Sequence, residues 1–342
     1  MKKSLSVALI VATSTLFANQ AGNDLVKKAK DAGLAAIPTD KAALIKLIDN
    51  PKNKINDAKV ELGKKLYFEP RLSKSNLISC NTCHNLATGG IDGVSAAIGH
   101  KWTANPHHLN SPTVYSAVFM DRQFWDGRDP DLEAQAQGPM QAAPEMAISK
   151  EMAVSRISSM PEYKSMFKDA FGSDEITFKK IADAIGAFER TLVTPAPFDK
   201  FLDGDTSALN DEQKEGLKVF IDKGCASCHT GVGIGGSMQK FPAVKPYKYA
   251  NVGDFKGNKE GMVKTPTLRN ITETAPYYHN GAVWSLSEAI KIMGQTQLGL
   301  ELSDKEVASI KSFLTSLTGD KPKVEYPILP AVTEKTPKPE AK

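Results

Sequence analysis

Apolar residues recur at helical spacing through "EMAVSRISSMPEYKSMF" and "FKKIADAIGAFERTL", and predict two packing segments in the middle of the chain. "ELGKKLYF" at 61–68, "EGLKVF" at 215–220 and "SLSEAIKIMG" around Met293 read as further helices. "TPAPFDKFLDGD" reads as a crossing between two halves. The ending, "KPKVEYPILPAVTEKTPKPEAK", is rich in Pro and Lys with little to bury, so residues 321–342 are expected to form an extended or disordered tail that touches a neighbouring domain before fraying. At the other end, Met1-Lys2-Lys3 leads into an apolar run from Leu5 to Phe17 and then small Ala18, the pattern of a signal peptide over 1–18. That run is too short to span a bilayer, and no later one approaches the roughly 20 apolar residues a membrane helix needs. A soluble protein exported to a bacterial periplasm is expected.

Composition adds scale. With 342 residues, 41% hydrophobic and 24% charged, the chain can bury two cores, expected over 22–194 and 195–320. The net charge of +4, two lysines of which lie in the leader, forms no nucleic-acid patch and says little about partners.

The chemistry is concentrated in two short stretches. All four cysteines fall in two Cys-x-x-Cys-His motifs, Cys80, Cys83 and His84, and Cys225, Cys228 and His229. A local disulfide in each is the plainest reading. Two such motifs could also pool a zinc site, although ribbon-type sites pair their knuckles more closely in sequence. Thioredoxin-like chemistry expects a βαβ context that the helical and loop-like flanks lack. In a c-type haem site the two thiols add to porphyrin vinyl groups and the adjoining histidine reaches the iron. Export and the lack of any other cysteine favour two covalent haems.

The surroundings of the motifs repeat, but not symmetrically. "SPTVYSAVFMDRQFWDG" from 111 matches "TPTLRNITETAPYYHNG" from 265 at a constant offset of 154, through Pro112/Pro266, Thr113/Thr267, Gly127/Gly281 and Leu132/Leu286. This suggests a mainly α fold of two class I cytochrome c-like domains, each with one covalent c-type haem. Met293, 64 residues after His229, is placed to close the far side of the second haem, with a core residue as the alternative. The same offset puts Pro139, which has no donor for iron, in its place in the first half, unless a one-residue gap brings in Met140. The first haem then has another sixth ligand or an open position. His100 is the nearest candidate, at the end of a segment made permissive by Gly89, Gly90, Gly93 and Gly99, with a surface histidine as the alternative. His107 and His108 receive no role.

The segments "GGIDGVSAAIGHKW", "FWDGR", "QGPMQAAPEM" and "APYYHNGAVW" resemble those of bacterial di-haem cytochrome c peroxidases, over about residues 40–320. The resemblance implies a peroxidatic N-terminal haem, a C-terminal haem that receives electrons, and usually a homodimer. It implies that Glu145 is the distal acid/base, Gln135 the distal amide and Trp125 the tryptophan between the haems. It further implies a calcium site from Asn110 and the carbonyls of Thr274 and Pro276, oxygen ligands being what Ca2+ takes. Read by themselves, Glu145 is a solvated helix residue, Asn110 a turn former, and Trp125 and Trp284 core aromatics. The expected activity is reduction of hydrogen peroxide to water with electrons from a small c-type cytochrome or cupredoxin. The alternatives are a di-haem electron carrier without turnover, and a di-haem enzyme that oxidises a protein side chain, which uses tyrosine where this chain has Met293.

Overall fold

Helices joined by long, ordered connections make up the computed structural model, which describes residues 20–340; the expected signal peptide lies outside the described residues. The helices are α1 (20–31), α2 (Lys41–Ile48), α3 (Asp57–Tyr67), α4 (Cys80–Cys83), α5 (Leu132–Gln141), α6 (Lys150–Ser158), α7 (Pro161–Phe171), α8 (Phe178–Glu189), α9 (Pro197–Leu202), α10 (Asp211–Asp222), α11 (Leu286–Leu298) and α12 (Asp304–Thr315). Strands β1 (Met238–Lys240) and β2 (Met262–Lys264) pair antiparallel with Gln239 opposite Val263. The fold is mainly α, and no βαβ unit surrounds either cysteine motif.

Two cores organise these elements. The first gathers Leu62, Leu66 and Tyr67 of α3, Met140 of α5, Phe167 of α7, and Ile181, Ile185 and Phe188 of α8. The second gathers Phe198 and Phe201 of α9, Leu217 and Phe220 of α10, Ile290 of α11, and Ile310 and Phe313 of α12. Each core rests on one helix crossing that only glycine permits. A Cβ on Gly63 would sit 1.9 Å from the Ala184 carbonyl oxygen, and one on Gly216 would sit 1.9 Å from that of Ser309. Thus α3 meets α8, and α10 meets α12, backbone to backbone.

The repeat holds to the residue. Short 3₁₀ turns at Ala117–Phe119 and Ile271–Glu273, bridges Gln123–Asp129 and Tyr277–Val283, and helices α5 and α11 all keep the offset of 154. Asp131 and Ser285 cap the last pair, accepting the N–H of Ala134 and Glu288. Ser116 and Asn270, both at φ +59°, converge on one hydroxyl: Ser116 Oγ lies 3.1 Å from Thr194 Oγ1, and Asn270 Nδ2 donates to it at 2.9 Å. The two halves therefore meet near Thr194.

Both ends of the described residues cross over. Val26, Ala29 and Leu34 pack into the second core, although they fall within the 22–194 span expected as the first domain. Asp199 secures this stretch by accepting the Ile37 N–H at 2.8 Å while pairing with buried Arg269 at 2.8 and 3.0 Å. Residues 321–340 run extended across the first core: Val324 and Leu329 pack on it, Arg71 donates to the Pro330 carbonyl, and Arg156 donates to that of Lys338. The segment buries more than its composition suggests because Val324 and Leu329 meet the already formed first core, and Lys65 of α3 and Arg156 of α6 donate to its carbonyls at Ile328 and Lys338.

Candidate haem site between the two halves

One connected cavity, about 2810 Å3 of empty space including the parts open to solvent, is lined by both cysteine motifs. In the first half, Thr82 Oγ1 accepts the Ser79 N–H at 2.9 Å at the start of α4, which sets Cys80, Cys83 and His84 on one turn. His84 Nδ1 lies 2.9 Å from the Pro112 carbonyl, which fixes the ring through that nitrogen and leaves Nε2 for a ligand. Burial lowers its pKa, which favours the neutral imidazole that metals bind. In the second half, burial lowers His229 to about 4, and its enclosed Nδ1 has no partner, the Ile234 backbone lying near without reaching hydrogen-bond geometry.

The four cysteines form no disulfide. Burial pushes Cys83 up to about 12 and Cys225 to about 11. Among the described residues no three His, Cys, Asp or Glu side chains gather as a metal site, so the two motifs do not pool a zinc centre. Thiols in pairs on one turn, imidazoles with one free nitrogen and a large, mostly apolar cavity fit two covalently held haems.

Around this frame the structure brings together most of the predicted residues. Cys80, Cys83, His84, Trp125, Gln135, Pro139 and Glu145 line the cavity on one side, and Cys225, Cys228, His229 and Met293 on the other. Pro139 and Met293 occupy the same register position, and Met140 is buried in the first core instead of lining the cavity. Burial raises the pKa of Glu145, the Arg128 charge opposing it only in part.

His100 stands apart. Its side chain is buried at 4% exposure with Nδ1 unpartnered, yet it does not line the cavity, although neighbouring Gly99 does. Its N–H donates to the Glu145 carbonyl at 2.8 Å. A Cβ on Gly99 would lie 2.0 Å from the Pro144 oxygen, so this glycine serves close contact rather than freedom. Trp102, at the tip of the turn, is 62% exposed and held at φ +57°, a strained conformation for a bulky residue.

Trp125 joins the halves: its indole N–H donates to the Asn110 carbonyl at 3.0 Å, and its own carbonyl accepts the Lys264 N–H at 2.8 Å. Asn110 donates its backbone N–H to the His279 carbonyl and its side-chain amide to Val94, which leaves Oδ1 without a hydrogen bond among the described residues. Thr274 and Pro276 line the same cavity. Trp284, expected in a core, is 59% exposed because it follows the Tyr277–Val283 bridge just ahead of the α11 cap. His107 faces Asp254 at 3.0 Å, and His108 Nδ1 lies 3.1 Å from the Asn280 carbonyl.

Two lining residues were not read from the sequence. Glu189, 6% exposed, has an enclosed, unpartnered Oε2, and burial pushes its carboxyl up to about 8. Its neighbour Arg190 does not pair with it, because that guanidinium turns to Glu133 and Asp49. Lys264 is buried at the junction and pushed down to about 8 by desolvation.

A family model described as di-haem cytochrome c peroxidase matches residues 57–207, and one described as cytochrome c matches residues 213–318. The cytochrome c551 peroxidase of Pseudomonas aeruginosa is 46% identical over 298 residues, 83% of this chain and 86% of that protein. That of Nitrosomonas europaea is 48% identical over 286 residues, covering 81% and 85%. The methylamine utilization protein MauG of Methylorubrum extorquens is 34% identical over 313 residues, covering 83% and 85%. The solved structure of a MauG-like protein associated with microbial copper homeostasis is similar with a TM-score of 0.70 at 26% identity, covering 80% of this chain and 93% of that one. With two cytochrome c-type units, two haem motifs on one cavity and these relatives, the chain belongs to the di-haem cytochrome c peroxidase family.

Proposed function

We propose that the protein reduces hydrogen peroxide to water on the first-half side of the cavity, with electrons arriving at the second half. The observation that carries this is the asymmetry of one register position, Met293 on one side and Pro139 on the other, with Glu145 beside the proline. Cys80, Cys83 and His84 would hold one haem, and Cys225, Cys228, His229 and Met293 the other. Bound there, the haems supply the electron-transfer chemistry. Glu145 moves a proton from one peroxide oxygen to the other, and its burial holds it ready to both take and return it. Gln135 orients peroxide by hydrogen bonding. Trp125, which bridges the halves, keeps them in electronic contact.

His100 is the gate in this reading: it would help hold the first haem in the resting protein and would leave that side open to peroxide once the second half is reduced. The position of its ring outside the cavity lining fits the withdrawn arrangement, and the strained turn at Trp102 fits a loop with two states. Calcium bound by Asn110 Oδ1 and the carbonyls of Thr274 and Pro276 would couple the halves, because Asn110 is also bonded to Trp125 and His279. A small c-type cytochrome or cupredoxin supplies the electrons to a periplasmic homodimer. Met293, in place of tyrosine, disfavours oxidation of a protein side chain as the main reaction. His100→Gly tests the gate: the variant should turn over peroxide without prior reduction. A continuing need for reduction would place control elsewhere.

A further inference from the structure

The second half holds an aromatic series that the peroxide chemistry does not use. Tyr278 lines the cavity, with its ring centroid 4.9 Å from that of Tyr247, which in turn lies 6.0 Å from that of Tyr249. A second branch enters through Trp125, whose ring is 6.3 Å from His279, itself 5.8 Å from Tyr247. Tyr247 is buried, while Tyr249 is half-exposed beside Lys248, whose ammonium lies 4.9 Å from its ring. Packing alone accounts for buried rings in contact. It does not account for how the three phenols are terminated.

Oxidation of a tyrosine at neutral pH requires its phenolic proton to leave with the electron, because the oxidised phenol is a strong acid while the resting one ionises only near pH 10. Tyr278 donates its O–H to the Ala289 carbonyl at 2.8 Å, and Tyr247 donates to Asn280 Oδ1 at 3.0 Å. Neither acceptor can keep a proton, and burial raises both phenols further. Tyr249 alone of the three donates to a carboxylate, Glu288 Oε1, at 2.9 Å. The hydrogen bonds from Tyr249 and Lys248 hold Glu288 below the usual carboxylate range, so it is ionised and free to accept.

We propose that Tyr249 is a surface outlet for oxidising equivalents, at which small one-electron reductants such as hydroquinones are oxidised when the protein donor is absent. The inference rests on the peroxidase reading for its oxidant. After peroxide has taken two electrons from the protein, Tyr249 passes one electron inward through Tyr247 and Tyr278, replacing one of the two. Its O–H bond breaks, Glu288 takes the proton, and a neutral phenoxyl radical remains. A hydroquinone then gives one electron to the radical and one proton to solvent, leaving as a neutral semiquinone that disproportionates, while Glu288 returns its own proton and restores Tyr249; the proton released matches the one consumed per electron as peroxide becomes water. Two such events, one per electron, balance each peroxide reduced.

The test uses the full protein carrying both haems, reduced where activation requires it, then given one equivalent of peroxide with no protein donor. Haem absorbance reports whether peroxide has oxidised the protein, and freeze-quench paramagnetic resonance reports the radical. Wild type should show a tyrosyl signal, Tyr249→Phe should lose it together with hydroquinone oxidation, and turnover with a reduced small cytochrome should be unchanged. Glu288→Gln should form the radical roughly 100-fold more slowly, by loss of its proton acceptor, while Tyr326→Phe, an exposed tyrosine on the extended C-terminal segment, should change nothing. If the haems are oxidised yet Tyr249→Phe keeps both signal and hydroquinone oxidation, or wild type shows no radical, the outlet is wrong. Haems left unoxidised by peroxide would overturn the peroxidase reading itself.

Discussion

A carboxyl at position 145 can serve as acid and base only if neither form is strongly preferred, and its surroundings work toward that. Burial raises its pKa, with Arg128 opposing. Acting first as base, Glu145 must be ionised, so kcat/KM should fall on acidification through a pKa above the ordinary carboxylate range. Stability of the haem absorbance across the same pH range separates this from unfolding. Glu145→Gln keeps the shape and loses the proton transfer, so turnover should drop by roughly 100- to 10,000-fold while peroxide still binds. Near wild-type turnover with both haems present would make Glu145 structural. The motif match picked out this residue, whereas nothing in the chain picked out Glu189. An acid next to a base in a helical stretch reads as a local pair, and only the tertiary position of Asp49 and Glu133 shows that Arg190 is taken.

Each core hangs on one backbone-to-backbone crossing, and the sequence contained its signal unread: "ELGKKLYF" and "EGLKVF" both carry a glycine within a helix, where glycine is otherwise costly. Gly63→Ala would force α3 away from the Ala184 carbonyl, and overpacking of this kind costs about 1–3 kcal/mol. Thermal unfolding of the first domain should move down accordingly, and an unchanged midpoint would mean that the crossing relaxes freely. The helix around Met293 was legible because its offset from α5 is fixed by motifs on both sides. Replacing Met293 by His should lower the potential of the second haem with both haems retained, since thioether ligation raises it. An unchanged potential would remove Met293 from the iron. What the sequence could not reveal is the course of the ends. Residues 20–37 lack any motif that ties them to a partner, and their place in the second core depends on Asp199, which reads as an ordinary acid at the start of α9.

In the whole molecule, two units of common plan share one cavity, and function follows from where they differ. The plan was legible because covalent haem attachment demands fixed short spacings, and because the 154-residue offset survives in turns, bridges and caps. The disposition of the loop at His100 was not, since four glycines suggest freedom and only the structure shows Gly99 pressed on Pro144. The central claim is that the two sides are unlike: one holds an electron and the other meets peroxide. Stopped-flow absorbance of the half-reduced protein mixed with one equivalent of peroxide tests it most directly. The account predicts that the reduced second haem is oxidised as peroxide disappears, rapidly in wild type and poorly in Glu145→Gln. A second haem that stays reduced in wild type, or one oxidised at the same rate when Glu145 is replaced, would contradict it.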